Sequence, residues 1–253
     1  MNRSKPLRMV AFLLGALAFI SLPALTGCGS TGPVRPGAPA SSARPDGAHG
    51  WWYESFKIAW PQGKDPAWSM DLLIAHQVVL PVLNRYRKDI LLWRFHRRAV
   101  RDNLGHQFSF IFYTTAPEAR KIYAALASNP VLQRLQAKGL VERVITDDTN
   151  KISRPDIEDT SDRSWSVPLQ KAWPSFIMGV SQTWLELITQ YVESAGQKPG
   201  SMTDMVAFYR KIGQKVDTTW RNEGGHAFLH HLNAVFGYAP LNVVVRRKVK
   251  LRF

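Results

Sequence analysis

The chain has 253 residues, a hydrophobic fraction of 45% and a formal net charge of +14. This length leaves little room for a second domain, and the single cysteine excludes a disulfide framework or a metal site built from several cysteines. The excess of Lys and Arg favours anionic surroundings such as lipid headgroups, acidic polysaccharide, acidic peptide or nucleic acid, or it serves only to keep the protein soluble.

The N-terminus carries the pattern of a secretory signal. Arg3, Lys5 and Arg8 precede the apolar run 9–24, and the sequence Leu-Thr-Gly-Cys ends at Cys28. A charged start, an apolar core and small residues at the end are typical of a signal peptide. The ending resembles the lipobox of bacterial lipoproteins, in which the cysteine after the cleavage site carries lipid. The alternative is an ordinary signal peptide with a cysteine at this position by chance.

This interpretation divides the chain into three parts. Residues 1–27 are the predicted signal peptide, residues 28–50 are a lipidated Cys28 with a disordered tether, and residues 51–253 are the globular domain. Removal of the three cations in the signal lowers the charge from +14 to +11. No further run of about 20 apolar residues follows Cys28, so we expect a lipid anchor and no spanning helix. Asp after the lipidated cysteine would indicate retention in the inner membrane, and Gly29 at this position favours the outer membrane. In the cell envelope, nucleic acid is the least expected partner.

The first predicted elements of the domain are a strand and a helix. Residues 52–60 alternate aromatic and polar side chains, as a strand does. Asp65 and Pro66 then predict a helix cap and a first-turn proline, with a helix that runs to about Lys88 and bends near Pro81.

Two more strands, a helical region and a fourth strand follow. Residues 90–95 and 107–114 predict a strand pair joined by the polar, flexible segment 97–105. Thr115 and Glu118 form a predicted capping box before a helix that restarts at Asn129 and ends near residue 139, and residues 140–146 predict a strand. The order β-α-β-β-α-β predicts an α+β protein with a ferredoxin-like core.

The C-terminal part of the chain is predicted to be helical. Residues 147–164 contain six acidic side chains and read as a solvated loop, or else as a cation site, although they lack the spacing of an EF-hand. Residues 167–194, 201–220 and 225–236 predict a bundle of helices. The last residues form a basic stripe if they are a strand, or a basic tail if they are not, and the cations of one face are Arg246, Lys248, Lys250 and Arg252.

Histidines near the C-terminus are the densest group of candidate functional residues. His226 and His230 are four residues apart, a spacing that places both on one helix face and could hold a metal if a third ligand came from elsewhere. The alternatives are that His230 or His231 acts as a general acid or base, or that these histidines have no chemical role. We therefore assign no metal site here.

A second group of cations and histidines surrounds the central strand pair. Strand alternation puts Arg94 and His96 on one face and Arg97 on the other, together with Trp93 and Phe95. An arginine that points from a sheet into a cleft suits a carboxylate, although a charged strand end that faces water is the simpler alternative. The sequence has no glycine-rich phosphate loop and no nucleophile elbow, so we expect no cofactor.

The order of these motifs resembles a known family. The aromatic strand 52–60, the sequence Leu-Trp-Arg-Phe-His-Arg at 92–97, His106 before the next strand and the late sequence 230–237 are similar to the C-terminal domain of lantibiotic dehydratases and to stand-alone thiopeptide-type bacteriocin biosynthesis proteins. The resemblance covers about residues 51–237. It implies a domain that binds a precursor peptide and eliminates glutamate from glutamylated Ser or Thr, or that closes a macrocycle between dehydroamino acids.

The resemblance assigns roles to some residues and fails at others. Arg97 matches the first arginine of the family, and Asn233 with Gly237 matches its late motif, whereas Phe108 and Phe110 replace the arginines of the second strand. Leu229 occupies the place of the family's histidine, which leaves His230 and His231 one and two positions away, and Ala234 replaces another arginine.

Two functions follow from these observations. The first is an envelope lipoprotein that binds a peptide or another anionic partner without the family's elimination chemistry, with Arg94, His96, His106 and Asn233 as candidate ligand-binding residues. The second is an active peptide-modifying enzyme of bacteriocin biosynthesis, in which Arg97 holds a carboxylate and His230 or His231 moves protons. An enzyme requires Arg97 and one of these histidines to meet in one pocket, and its glutamylated substrates arise in the cytoplasm, which conflicts with an envelope address.

Overall fold

A computed structural model describes residues 47–196 and 199–240 of the chain. The predicted signal peptide and lipidated Cys28, most of the predicted tether and the basic segment with Arg246, Lys248, Lys250 and Arg252 lie outside these residues. All described residues belong to one compact unit. None of the helices in the described ranges is long and apolar enough to cross a membrane.

An antiparallel sheet of four strands forms the centre of the domain. The strands lie in the spatial order β2-β3-β1-β4, and their bounds are β1 (His49–Ile58), β2 (Leu92–Ala99), β3 (His106–Thr115) and β4 (Val141–Thr146). Helices pack mainly on one face of this sheet, so the prediction of an α+β protein is confirmed. β1 begins two residues before the predicted start of the domain, because His49 and Gly50 already pair with β3.

Alternation along the strands supplies the core. Trp52 and Phe56 of β1 and Phe108, Phe110 and Phe112 of β3 are all buried on the helical face of the sheet. Aromatic and β-branched side chains favour such a pleated, half-buried surface. Burial of these rings removes large apolar surfaces from water and so stabilises the domain.

The helix after β1 is divided by a π-helical turn. α1 (Trp68–Ile74) is followed by the turn Ala75–Val79 and by α2 (Leu80–Arg85). The predicted cap at Asp65 is wrong, because the helix begins at Trp68 after Ala67, which makes no side-chain cap.

Pro81 explains the interruption. A proline has no N–H group, so the carbonyl four residues earlier, at Gln77, loses its helical partner. The Asn129 side-chain amide donates to the Gln77 carbonyl oxygen at 3.0 Å. Asn129 also caps α4, since its Oδ1 accepts from the amides of Val131 and Leu132. One side chain therefore connects the interrupted helix to the next helical layer.

β2 extends further than the sequence predicts. Arg97 and Arg98 belong to the strand and not to a flexible connection, because they pair with Phe108 and Gln107 of β3. The connection itself is ordered by Asp102, whose Oδ1 accepts from the amides of Leu104 and Gly105.

The second helical region follows β3 directly. α3 (Ala116–Ala127) and α4 (Pro130–Ala137) are separated by a short break at Asn129, as predicted. Thr115 accepts from the Glu118 amide at 3.4 Å, which confirms the threonine cap. The reciprocal half of the predicted box is absent among the described contacts, where Glu118 instead pairs with Lys121.

The acidic segment after β4 packs over the second face of the sheet, although Asp148, Asp156 and Asp162 are exposed as in a solvated loop. Asp147 forms an ion pair with Arg154, and its Oδ2 accepts from the Tyr53 amide at 2.9 Å. The Trp51 indole N–H donates to the Ile157 carbonyl at 2.9 Å, where a 3-10 turn (Ile157–Thr160) lies. Asp147 therefore ties this segment to β1.

Two long helices complete the domain. α5 (Val167–Ser194) packs against the edge strand β2, where the Ser181 hydroxyl accepts from the Phe95 amide at 3.0 Å. α6 (Met202–Gly224) packs against α1. The predicted break at Gly224 and Gly225 is wrong, because both residues keep helical dihedral angles and the chain continues through a π turn (Gly225–His230) into α7 (His231–Val235).

One carboxyl group is buried inside this core. Glu54 is 1% exposed and lies between Trp52 and Phe56 on the helical face of β1. Its Oε2 has no hydrogen-bond partner among the described residues. Burial raises the pKa of Glu54 to about 8, so the folded protein holds this carboxyl protonated at neutral pH.

We expect the stability of the domain to fall as the pH rises from about 5 to 8. The folded state keeps a proton on Glu54 that the unfolded state releases near its ordinary pKa of 4.5, so stability is greatest below that value and is lost as the pH passes the folded pKa. Glu54→Gln removes this loss and makes the protein more stable by about 3 kcal/mol at pH 9. The measurement is urea unfolding at a series of pH values. The exposed Glu186→Gln is the control, and parallel profiles for wild type and Glu54→Gln contradict the assignment.

Candidate ligand-binding cleft

A buried carboxyl group lies against an arginine and a histidine of different strands. Asp71 of α1 and His106 of β3 are both fully buried, and Arg97 of β2 is 30% exposed at its side chain. Arg97 Nε donates to Asp71 Oδ2 at 2.7 Å. His106 Nε2 lies 2.9 Å from Asp71 Oδ1. Asp71 therefore joins the first helix to both strands of the β2–β3 hairpin.

The local sequence explains why these side chains meet. Alternation along β2 directs Trp93, Phe95 and Arg97 to the helical face of the sheet, as predicted. Arg97 is the last of the three and reaches the end of the sheet where α1 begins. The cross-strand register then places His106 beside this end, since His106 pairs with Ile58 of β1.

The contact between His106 and Asp71 is close but poorly aligned. Its geometry does not satisfy a hydrogen bond at Nε2, and His106 Nδ1 has no partner among the described residues. The imidazole is held by packing, because its ring centroid lies 5.0 Å from that of Trp68 and 6.5 Å from that of Trp60. A fully buried imidazole of this kind stabilises the position of Asp71 rather than reaching a ligand.

Two tryptophans hold the Arg97 guanidinium in place. Its central carbon lies 5.1 Å from the ring centroid of Trp68 and 4.9 Å from that of Trp184. Arg97 also donates to the Trp68 carbonyl oxygen at 3.1 Å. Cation–π contacts on an arginine, together with a carboxylate, fix the planar fork before any ligand binds.

Arg97 forms part of the wall of a cleft of about 490 Å3 between the start of α1 and the side of α6. The wall contains apolar surface from Ile58 and Val206 and charges of both signs. The charged residues that line the cleft are Asp65, Arg97, Arg210 and Asp217. Gly213 of α6 lies against α1 here, and a Cβ atom at this position would be in ordinary van der Waals contact with Leu72 and Ser69, at 3.7 Å.

The predicted residues Arg94 and His96 lie on the opposite face of the sheet from Arg97. Part of the His96 side chain is exposed, and desolvation of the rest of it, together with the positive charges of Arg94 and Arg98, lowers the pKa of His96. Burial also lowers the pKa of Arg94, against the effect of Tyr53. These two residues therefore do not join Arg97 and His106 in one site.

The predicted C-terminal residues form a separate group. The π turn brings three imidazole rings together, with centroids 5.1 Å apart for His226 and His230 and 5.3 Å from His231 to each of them. Tyr238 Oη lies 3.3 Å from His230 Nε2. Asn233 is exposed in the same helical segment. No contact within the described ranges joins this group to Arg97, and no three His, Cys, Asp or Glu side chains there are grouped to hold a metal.

Asp71 is the site residue that the sequence reading misses. It stands between Met70 and Leu72 on a helix whose neighbouring side chains are all buried. A lone acid in such an apolar run is a recognisable signal, because a buried carboxylate needs cationic or hydrogen-bonding partners. Trp68 and Trp184 carry no comparable signal, since aromatic residues are common in cores.

No protein-family model matches the chain, and no curated protein and no solved structure matches it either.

We expect Asp71→Asn to destabilise the domain by about 2–3 kcal/mol. The substitution leaves the Arg97 guanidinium without its buried carboxylate partner. The expected loss of stability is smaller than for a fully buried ion pair because Arg97 is partly exposed. Urea unfolding at neutral pH measures the loss. Asp102→Asn is the matched control, because Asp102 pairs with Arg98 at the exposed surface. An equal effect of the two substitutions contradicts a structural role for Asp71.

Proposed function

We propose that this protein is a lipid-anchored envelope protein whose α+β domain binds a peptide in the cleft beside Arg97. The observation that carries the proposal is the state of the Arg97 guanidinium. It is fixed by Asp71 and by two indole rings, yet 30% of its side chain remains exposed in the cleft wall. A preorganised fork of this kind suits a carboxylate, because little conformational entropy is lost when the ligand binds.

The charges of the cleft favour a peptide over a polyanion. Arg97 and Arg210 face the ligand space together with Asp65 and Asp217. Two acids in the wall repel a nucleic acid or an acidic polysaccharide, whereas a peptide offers amines to the acids and carboxylates to the arginines. The apolar part of the wall suits side chains of a peptide.

The geometry supports binding better than elimination. Proton transfer requires an imidazole nitrogen within reach of the substrate, and the buried His106 offers none. Among the described residues, the rings of His230 and His231 contact each other and His226, and Tyr238 lies beside His230. None of these residues lines the cleft. We therefore propose the peptide-binding function of the lantibiotic dehydratase C-terminal scaffold without its elimination reaction.

The topology supports a ferredoxin-like core for this scaffold. β3 lies between β1 and β2, and β1 lies between β3 and β4, so each β-α-β unit is split by a strand of the other. This is the arrangement of the split β-α-β fold. It places the first helix and α3 on one face of the sheet, where α1 contributes Asp71 and one wall of the cleft.

We expect the domain to bind short peptides with free termini. A pool of synthetic tetrapeptides is compared with the same pool after acetylation and amidation of the termini, and mass spectrometry after equilibrium dialysis measures the bound fraction. Arg210→Gln should weaken binding of the free peptides about tenfold, since it removes one charge-assisted contact. Arg120→Gln, an exposed cation on α3 outside the cleft, is the control. Equal binding of free and blocked peptides, or no binding of either, argues against the proposal.

We expect lipid labelling and membrane attachment to depend on Cys28. Wild type and Cys28→Ala are expressed with a radiolabelled fatty acid, and membrane and soluble fractions are compared. The substitution should abolish the label and release most of the protein, because two or more acyl chains give stable attachment. A wild-type protein that stays in the cytoplasm with residues 1–27 intact disproves the lipid anchor. That outcome favours the alternative function, a peptide-modifying enzyme.

A further inference from the structure

The end of the helical region carries an unusually apolar surface. It runs along one side of α6, the π turn and α7, and we call it the C-terminal stripe; its residues are Trp220, Phe228, Leu229, Leu232, Val235 and Phe236. Val235 is 82% exposed and Phe236 is 69% exposed. Large apolar side chains that are contiguous and exposed to this degree indicate a surface that contacts another phase or molecule.

The π turn and Gly224 place the side chains of this stripe on one side of the helix. Trp220 and Phe228 are eight residues apart, and their rings stack with centroids 6.0 Å apart because the π turn adds one residue to the helix. Gly224 lets the indole lie flat on the helix, since a Cβ atom there would lie 2.9 Å from the Trp220 ring. The three histidines of this segment lie outside the stripe.

We propose that the C-terminal stripe docks on the surface of a bilayer that contains anionic lipid. The chain continues beyond the stripe with a segment of five cations and no acid, Arg246, Arg247, Lys248, Lys250 and Arg252. An aromatic and aliphatic surface that is followed in the sequence by a cluster of Lys and Arg is complementary to acyl chains below anionic headgroups. Each cation near such a surface strengthens attachment, and Trp and Phe favour the interfacial region.

A second copy of this chain fits the stripe less well. A symmetric pair supplies the same sequence twice, so the basic segment of one copy meets no complementary charge in that of the other. That arrangement has ten Lys and Arg side chains and no acid in the two segments, since each contributes five cations. An anionic bilayer is complementary both to the apolar stripe and to the cations that follow it in the sequence.

This second attachment does not depend on the proposed lipid anchor. If Cys28 is lipidated, the tether holds the domain within a few tens of ångströms of the headgroups, and the stripe binds at a raised effective concentration. The domain then lies against the membrane rather than moving freely on its tether.

The test uses the chain from Gly29 to Phe253, which contains the whole compact unit and neither the signal nor Cys28. Sedimentation with vesicles of phosphatidylcholine and phosphatidylglycerol is compared with sedimentation with phosphatidylcholine alone. Substitution of Arg246, Lys248, Lys250 and Arg252 by Gln should weaken binding to the anionic vesicles about 100-fold. Val235→Ser with Phe236→Ser should weaken it about tenfold.

The control is Phe176→Ser with Val180→Ser on α5, because these side chains are exposed to 42% and 46% and lie outside the stripe. Thermal unfolding followed by circular dichroism verifies that every variant is folded. Binding that requires phosphatidylglycerol, falls with both sets of substitutions and is unchanged in the control supports the proposal. Absence of binding, equal binding to both vesicles, or loss of a solution dimer in the Val235→Ser, Phe236→Ser variant without loss of vesicle binding overturns it.

Discussion

The buried carboxylate of Asp71 is the constraint on which the functional end of this domain depends. A carboxyl group without exposure is costly unless polar or charged partners compensate it, and the Arg97 guanidinium supplies that partner from β2 while the His106 ring of β3 packs beside it. The same contact determines how α1 lies across the sheet. Because Trp68 precedes Asp71 by less than one helical turn, fixing the carboxylate also brings the indole against the guanidinium and the imidazole. The geometry of the cleft wall follows from this one compensated charge.

Polar groups that secondary structure leaves unpaired are used elsewhere as connections between layers. Pro81 leaves the Gln77 carbonyl without a helical partner, and the Asn129 side-chain amide donates to that carbonyl. The Asn129 side chain also caps α4. The edge strand β2 offers the Phe95 amide, which donates to Ser181 of α5. The second face of the sheet is partly covered by the segment after β4, held through Trp51 and Tyr53. Each connection satisfies a backbone group that would otherwise lose its hydrogen bond on burial.

The two proposed binding surfaces differ in their physical character. The cleft has fixed charges of both signs and a guanidinium with little freedom, which favours selection of a small zwitterionic segment. The C-terminal stripe is apolar, exposed and followed in sequence by cations, which favours an extended interface with little chemical selectivity. A protein attached at the membrane by one surface can present the other to peptides near that membrane. The cleft contains two acids and two arginines, so its charges are balanced. The net positive charge of the chain would therefore act in attachment of the protein to an anionic membrane.

The sequence by itself determined the elements and much of their order. Alternation in β1 and β3, the threonine cap at Thr115 and the helix 167–194 follow from local rules of period and capping, and the structure has them. It also determined that Arg97 lies opposite Arg94, because alternation is a local property. Only the tertiary structure decided that Arg97 and His106 share Asp71, that the acids after β4 cover a sheet face, and that helix α6 continues through Gly224. The physical reason is that compensation of a buried charge and packing against distant side chains depend on contacts between residues far apart in the chain, which local periodicity does not encode.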